Sequence, residues 1–350
     1  MPYRQGRGVG GSTAINGGLL EVPDPADAER LGWPPLTHTA QSLLPLLSTG
    51  SQAWDGFDRA IVIAGEAVLP GARAEVTALA RRNGHRLDVA TALLADRPEV
   101  TIRTDALVDR VVFDGGRARG VQLAGGEVVE ARTVVLAAGA LASPVILLRS
   151  GVGGVGTGLV DHVGVALSLD IGANPETESL PTNVVVRGGE VAFVPLTTGA
   201  VFGIRLVTHG RGMVRLASPD PAMPPEVTFD LLGDERDRAG VRGIVRSLAS
   251  LARHPAVAAI AESATFGADG TPLGIADADD ATIDVWLVDH LAEVFHAAGS
   301  CHAAVDRTGL LNGTDNCWVV DASILPDLPR CAPALTVSAL AHHLATAIPV

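Results

Sequence analysis

From residue 100 onward, apolar and polar positions alternate in short stretches separated by glycine, a pattern typical of antiparallel strands. The stretches predict a β-meander whose strands are residues 100–102, 107–113, 120–123 and 127–131, with a turn at 114–116. The next stretch, residues 133–137, is continuously apolar and predicts a strand buried on both faces. The middle of the chain is therefore predicted to be mainly β-structure.

A glycine turn and a helix are predicted directly after the apolar strand. Gly139 ends the strand, Ser143 is a suitable N-cap, Pro144 is a suitable first helical residue, and Gly151 ends the helix. A strand followed by a glycine turn and a capped helix is how open α/β sheets form a ligand-binding crevice.

The second half of the chain predicts an antiparallel sheet and two further helices. Residues 183–232 contain apolar runs interrupted by glycine and proline. Asp234 then caps an amphipathic helix, whose apolar positions follow helical spacing up to Leu251. Residues 277–280 contain three carboxylates, which we interpret as a solvated helix start and not as a metal site.

Two helices are predicted nearer the start of the chain. Residues 71–83 predict a helix that ends at Gly84. Residues 43–47 predict a short helix that Pro45 interrupts.

Composition and charge narrow the functional classes. The 350 residues are 47% hydrophobic and 19% charged, which is ordinary for a globular protein of more than one domain. The formal net charge of −13 argues against nucleic acid as a partner, because phosphate binding requires clustered Lys and Arg. No apolar run reaches the roughly 18 residues of a membrane span, and the first residues do not resemble a signal peptide.

Three cysteines are present, Cys301, Cys317 and Cys331, and none is part of a C-x-x-C pair. An odd and sparse set of cysteines is typical of reduced thiols in a reducing compartment. A cytoplasmic location is the expectation from these features.

The opening glycine-rich loop, residues 5–18, has six glycines among fourteen residues. Glycine lets the backbone approach a ligand closely, because there is no Cβ and positive φ is accessible. Ser12, Thr13 and Asn16 supply hydroxyl and amide groups for a polar ligand.

His296 is the candidate catalytic residue. It follows an apolar segment and precedes Ala297, Ala298 and Gly299, a setting that can hold an imidazole at a cavity wall. Histidine is the natural general base near neutral pH. A buried structural histidine is the competing interpretation, and the residues alone favour it.

Five segments resemble the glucose–methanol–choline (GMC) flavoprotein oxidoreductases. The opening loop is similar to their first signature, and residues 139–153 are similar to their second. Residues 159–162, Leu-Val-Asp-His, resemble a motif that follows the second signature. His296-Ala-Ala-Gly-Ser-Cys and Val320-Asp-Ala-Ser-Ile-Leu-Pro match further family patterns near the C-terminus.

The resemblance implies FAD as the cofactor and an alcohol as the substrate. His296 would take the hydroxyl proton while hydride passes from carbon to flavin N5. It also implies that these residues bind the cofactor: Arg7, Gly10, Gly11, Ser12, Asn16, Gly17, Val108, Asp321, Ala322 and Thr336. No residue is predicted to bind a metal. The electron acceptor, which is oxygen, a quinone or another carrier, stays open.

The chain departs from the family pattern in two places. Pro333 occupies the position of a second catalytic His or Asn, so the partner of His296 is in doubt. The strand–glycine loop–helix unit that carries G-x-G-x-x-G ahead of the first signature is missing, which suggests N-terminal truncation. Residues 151–156 contain G-x-G-x-x-G by letter, but they follow a predicted helix and not a strand.

The expected fold class is α/β with an α+β second domain: an FAD/NAD(P)-binding-type domain lacking its first βαβ unit, plus an antiparallel-sheet substrate domain. The expected boundaries are residues 1–175 for the flavin-binding segments, with cap or substrate-side insertions near 20–95. Residues 176–300 are expected to form the substrate domain, and residues 301–350 are expected to return to the flavin-binding domain. Features of the start and of residues 323–333 also resemble a mycofactocin-associated subgroup. The alternative function is a non-catalytic, truncated fragment that acts as a binding or interaction module.

Overall fold

The computed structural model describes residues 3–48, 54–83, 85–172 and 183–349. Its helices are α1 (Asp27–Leu31), α2 (Thr37–Leu47), α3 (Gly56–Val68), α4 (Val89–Leu93), α5 (Gly139–Arg149), α6 (Glu235–Arg253), α7 (Pro255–Ala258), α8 (Asp280–His290) and α9 (Pro333–Ala345).

The first ten strands are β1 (Leu19–Leu20), β2 (Arg73–Val76), β3 (Ala78–Leu79), β4 (Arg81–Arg82), β5 (His85–Arg86), β6 (Val108–Asp114), β7 (Arg117–Leu123), β8 (Val128–Glu130), β9 (Val134–Leu136) and β10 (Thr157–Leu159). The remaining strands are β11 (Val163–Asp170), β12 (Val184–Gly188), β13 (Val191–Pro195), β14 (Ala200–Arg205), β15 (Gly212–Arg215), β16 (Glu226–Thr228), β17 (Ser263–Phe266), β18 (Thr271–Pro272), β19 (Ala292–Glu293) and β20 (Cys317–Val319).

The largest sheet has the order β18-β17-β11-β14-β13-β12-β2, and β19 adds to β11. Every pairing in it is antiparallel. Helices α3 and α6 pack on one face, because their apolar stripes meet the inward-facing residues of β11 and β12. Asp234 caps α6, as the sequence predicts, by accepting a hydrogen bond from the Arg236 N–H.

A second core surrounds the parallel pair β9 and β20. Cys317, Trp318 and Val319 pair with residues 134–136 in parallel. Helix α9, helix α2 and the β6-β7-β8 meander pack around this pair and share one apolar cluster. The chain thus combines a parallel element with a large antiparallel sheet, which confirms the mixed α/β fold class.

Several local predictions are wrong. Residues 71–83 form short strands and not a helix, because β2 pairs with β12 and β3 pairs with β1. Gly84 lies outside the described residues. Residues 100–102 belong to no strand, and Val135 in β9 is 44% exposed, so that strand is not buried on both faces.

Two predictions about helix ends are also wrong. Helix α2 continues through Pro45 to Leu47. Helix α5 begins at Gly139, so that Ser143 and Pro144 lie inside it and Ser143 is not the N-cap. The Ser143 hydroxyl instead accepts a hydrogen bond from the Ala138 N–H before the helix and donates one to the Asp321 carboxylate after β20.

The carboxylates near α8 have structural partners. Asp279 caps α8 by accepting a hydrogen bond from the Thr282 N–H. Asp277 pairs with Arg253, and Asp280 pairs with Arg246. Among the described residues, no group of His, Cys, Asp or Glu is arranged to hold a metal ion, and no helix is long and apolar enough to cross a membrane.

Candidate active site

His296 lies on a two-residue bulge between two points of antiparallel pairing. Val163 pairs with residue 293 of β19, and Val160 forms a bridge with Ala298. Between these points one segment has two residues, 161–162, and the other has four, 294–297. The surplus residues arch away from the pairing, which is how bulges aim a side chain in a new direction.

The bulge contains a strained residue directly before the candidate base. Phe295 has φ 62°, a left-handed conformation that is rare for a bulky residue, and its side chain is 41% exposed. Such strain persists only where the surroundings enforce it, and it concentrates at functional sites.

The imidazole of His296 contacts a second imidazole. Its Nδ1 lies 2.9 Å from Nδ1 of His162, and the rings meet edge to face at 78°. The main-chain N–H of His296 donates to the Asp161 carboxylate at 2.8 Å. Consecutive residues of one segment therefore hold both the backbone and the ring of His296.

Both rings are uncharged at neutral pH. Burial lowers the pKa of His296 to about 4. Burial, the neighbouring His296 and the nearby Arg30 together lower the pKa of His162 well below its usual value. His296 is thus a neutral imidazole that can accept a proton.

Asp321 joins the ends of the two parallel strands. It follows β20, and its carboxylate accepts hydrogen bonds from the Gly139 N–H at 2.9 Å and the Ser143 hydroxyl at 2.5 Å. Its other oxygen accepts from the Ser323 N–H at 2.8 Å. Since both strands end here, Asp321 lies at the edge where parallel sheets bind ligands.

Ala322 and the chain start meet close to His296. Tyr3 accepts a hydrogen bond from the Ala297 N–H at 2.9 Å, and its ring packs against Phe295. Tyr3, Ala297 and Ala322 share one apolar cluster. The residue after the candidate base therefore contacts the segment that leads into the opening glycine-rich loop.

The opening loop folds into a tight 3₁₀ turn at Gly11–Ala14. The Gly6 N–H donates to the Ser12 hydroxyl, and a Cβ on Gly6 would lie 2.2 Å from the Gly11 carbonyl oxygen. Only glycine fits such a close approach of two backbone segments. Gly11 has φ +53°, and no atom lies within 4 Å of a Cβ built there, so its outer face is open.

A small hollow separates the opening loop from α9, and we call it the loop–helix hollow. Thr13 and Asn16 of the loop and Ala334 and Ser338 of α9 belong to its lining, and the rest of the lining is apolar: Leu20, Leu47, Ala80, Leu87 and Val89. The N-terminus of α9 has no side-chain cap, because its N-cap is Ala332 and its first residue is Pro333. Unpaired N–H groups at a helix start attract polar and anionic groups.

The remaining predicted residues are dispersed around this framework. Arg7, Ser12 and Gly17 are exposed, whereas Gly10 has φ +91° and approaches the Asp88 side chain. Thr336 is fully buried in α9, with its hydroxyl 3.7 Å from the Cys331 sulfur.

Val108 begins β6, pairs with Leu123 and is half-buried. His296 does not line the loop–helix hollow. Tyr3, which precedes the opening loop in the chain, accepts a hydrogen bond from the residue after His296, and this contact connects the loop to the His296 bulge.

The sequence pattern assigns no role to His162, which the structure places against His296, although the Leu-Val-Asp-His segment contains it. The pattern also does not indicate the buried ion pair that holds the segment before α9. Glu21 pairs with Arg187 and accepts a hydrogen bond from the Ala332 N–H at 2.7 Å. These contacts fix the start of α9 between the two cores.

The glycine-rich segment 151–156 follows helix α5, so it does not form a strand–loop–helix nucleotide site. A Cβ on Gly156 would lie 2.4 Å from the Val214 carbonyl oxygen, which explains a glycine there by packing. Among the described residues, no strand is followed by a G-x-G-x-x-G turn and a helix.

Comparison with known proteins assigns the chain to a family. The N-terminal model of the GMC oxidoreductases matches residues 72–168, and their C-terminal model matches residues 208–341. Oxygen-dependent choline dehydrogenase of Escherichia coli is 28% identical over 324 residues, which cover 70% of this chain and 57% of that protein. A 5-(hydroxymethyl)furfural oxidase of Methylovorus is 29% identical over 72% of this chain and 58% of that protein.

Solved structures share the fold. Pyridoxine 4-oxidase from "Mesorbium loti" superimposes with a TM-score of 0.81 at 21% identity, covering 99% of this chain and 84% of that chain. Formate oxidase superimposes with a TM-score of 0.81 at 17% identity, covering 99% of this chain and 84% of that chain. The chain spans a little over half the length of the curated relatives it matches. By its two matching models and these relatives, the chain belongs to the GMC oxidoreductase family.

Proposed function

We propose that this chain contributes the catalytic and flavin-facing parts of an FAD-dependent alcohol oxidoreductase, with His296 as the base. The observation that carries the proposal is a neutral imidazole held on a strained bulge beside the chain start. A neutral base is what the oxidation of an alcohol requires, because the hydroxyl proton must leave as the carbon loses hydride.

The proposed flavin site lies on the opening loop and the start of α9. The open face of Gly11 lets a flat ring approach the backbone, and the uncapped start of α9 offers N–H donors. Arg7, Gly10, Ser12, Asn16 and Gly17 would complete the loop side of the site. When bound, the flavin would supply the acceptor for the hydride.

The edge formed by Asp321 and Gly139 would flank the cofactor's polar chain. The Gly139 Cβ position is open, and the N-cap of α5, Ala138, makes no side-chain hydrogen bond. N–H groups of the first turn of α5 therefore point toward this edge. Val108, Ala322 and Thr336 are proposed as the remaining contacts.

His296 would perform the proton transfer through the ring nitrogen that does not face His162. It accepts the hydroxyl proton in its neutral form, and its place on the bulge keeps the ring from turning freely. Three of the four proteins named above act, by their names, on choline, on 5-(hydroxymethyl)furfural and on pyridoxine, which all contain a hydroxyl group, and the fourth acts on formate. A small-molecule alcohol is accordingly the proposed substrate class.

The proposal includes a reducing compartment, such as the cytoplasm. Cys301, Cys317 and Cys331 are all buried and free. Burial raises the pKa of Cys301 and of Cys317 to about 12, so these thiols are unreactive and compatible with that location.

The test begins with the 350-residue chain purified, incubated with FAD and separated from free cofactor. We expect retained visible flavin absorbance, and its loss when a panel of alcohols is added without oxygen. His38→Asn, an exposed histidine, serves as the matched control for handling. Retained flavin that no alcohol bleaches would contradict the proposed reaction. A folded chain that retains no flavin would contradict the proposed cofactor and favour the binding-module alternative.

A further inference from the structure

Buried His162 and half-buried His296 make a contact whose direction decides the chemistry of the site. His162 and His296 are 134 residues apart in sequence, yet their Nδ1 atoms are 2.9 Å apart. His162 is 1% exposed. Two neutral imidazoles at this distance share one hydrogen, so one Nδ1 is the donor and the other is the acceptor.

The surroundings of His162 favour one direction. Its Nε2 is buried and has no hydrogen-bond partner among the residues that the structure describes. Backbone oxygens of Leu206 and Pro329 lie near the ring and favour a ring N–H. Because Nδ1 of His162 faces His296, Nε2 is the ring nitrogen left to carry that N–H.

A proton on Nε2 of His162 leaves its Nδ1 as a lone pair. The Nδ1 of His296 must then carry the hydrogen that bridges the rings. The Nε2 of His296 consequently has no hydrogen and is free to accept one. In the opposite arrangement, Nε2 of His296 would carry a proton and could not act as a base.

We infer that His162 is a positioning residue that holds His296 in the tautomer with a bare Nε2. The inference rests on the proposed function of His296 as base, but it concerns a partner at position 162 and not at position 333. Pro333 has no side-chain donor or acceptor and begins α9. His162 instead has the orienting role, and it lies on a different element, the segment that leads into β11.

The geometry around the pair supports this role. The Val160 N–H donates to the Ala298 carbonyl at 2.9 Å, and the Ala298 N–H donates back at 3.0 Å. Asp161 accepts the His296 N–H, and His162 contacts the His296 ring. Three consecutive residues therefore hold the bulge: Val160 pairs with its end, Asp161 binds the His296 main chain, and His162 contacts the His296 ring. Together they restrict the ring to one orientation.

The direct test is nuclear magnetic resonance of the protein labelled with ¹⁵N-histidine, because long-range ¹H–¹⁵N correlations distinguish the two neutral tautomers. Signals are assigned from variants in which one histidine at a time is replaced. We expect His296 to be protonated at Nδ1 and His162 at Nε2. An Nε2–H tautomer for His296 would overturn the inference. This readout requires neither flavin nor turnover, so it is independent of the proposed reaction.

Two matched substitutions separate positioning from packing. His162→Asn places an amide oxygen near the position of Nδ1 and keeps the acceptor, whereas His162→Gln places its amide near Nε2 and loses it. We expect the Asn variant to keep the Nδ1–H tautomer of His296 and the Gln variant to give a mixture. The same tautomer in both variants would overturn the inference.

Kinetics provide the second readout. We expect kcat/KM to fall at least about tenfold in His162→Gln and less in His162→Asn, with the larger change in kcat, because a base in a mixed tautomer accepts a proton less often. We also expect the acid limb of the pH profile to shift in the Gln variant only. The charged group facing His162 from a neighbouring element is Arg30, which both variants keep. Equal losses in the two variants would show a structural role and contradict the inference.

Discussion

The Asp321 carboxylate accepts a hydrogen bond from the Gly139 main-chain N–H at 2.9 Å, although the two residues are 182 positions apart. Asp321 follows β20 and Gly139 follows β9, so one carboxylate closes the open end of the parallel pair. The same carboxylate binds Ser143 and the Ser323 N–H. It therefore joins the turn before α5 to the turn after β20.

Removing this carboxylate is predicted to destabilise the fold. Asp321→Ala leaves two buried donors and one partly buried donor without an acceptor and should lower the free energy of unfolding by about 3–5 kcal/mol. Ser143→Ala removes one of these donors and should cost about 1–2 kcal/mol. Urea denaturation measures both values. If Asp321→Ala does not fold, Asp321→Asn keeps the shape and tests the loss of charge. Equal stability of Ser143→Ala and Asp321→Ala would contradict this role.

Acid should destabilise the protein before the carboxylates titrate. The folded pKa values of His162 and His296 lie below the usual value of 6.5, that of His296 at about 4. Between these pH values the unfolded chain binds protons that the folded chain does not. The stabilisation from the two neutral histidines is therefore complete above pH 6.5 and is lost as pH falls. Each pKa unit corresponds to about 1.4 kcal/mol. Urea denaturation at about pH 7.5 and about pH 5 measures the difference.

His296→Asn is the control for the acid effect, because it removes one of the two groups. We expect a smaller loss of stability between the two pH values in this variant than in the native protein. His290 contributes with the opposite sign. Burial lowers its pKa, but hydrogen bonds with Asp269 and the Trp286 carbonyl outweigh burial and raise it, so its stabilisation is present below pH 6.5 and is lost as pH rises. A native protein equally stable at both pH values would contradict the lowered pKa values.

The large antiparallel sheet offers a matched pair of glycine substitutions. A Cβ on Gly203 in β14 would lie 2.5 Å from the Ile244 side chain of α6, so Gly203→Ala should cost about 1–3 kcal/mol by overpacking. A Cβ on Gly243 in the same helix would meet nothing within 4 Å, so Gly243→Ala should stabilise the protein by about 0.5–1 kcal/mol. Thermal unfolding of both variants measures the sign of each change. A stabilising Gly203→Ala would contradict the close packing of the sheet on α6.

Local features were predictable from the sequence where one residue determines them. Asp234 begins α6 because its carboxylate accepts a main-chain N–H, which is the behaviour expected of an N-cap. The meander of β6, β7 and β8 follows the period-two pattern and its glycine turns.

Features that depend on distant pairing were not predictable. Residues 73–76 have helix-compatible composition but form β2, because an edge of the large sheet at β12 is available to them. The contact between His162 and His296 arises from the pairing of β11 with β19 and the bulge that follows it. A local sequence pattern does not show how many residues a bulge contains, because the bulge depends on pairing between distant segments. The motif could therefore identify His296 but not its contact with His162.

In the proposed reaction, His296 removes the proton of an alcohol beside a flavin. The most direct measurement is the single-turnover rate of flavin bleaching by an alcohol, without oxygen, in the FAD-loaded native chain and in His296→Asn. We predict a rate lower by about 100- to 10,000-fold in the variant, with flavin still bound, because that is what a general base contributes. Equal rates in the two proteins would contradict the account.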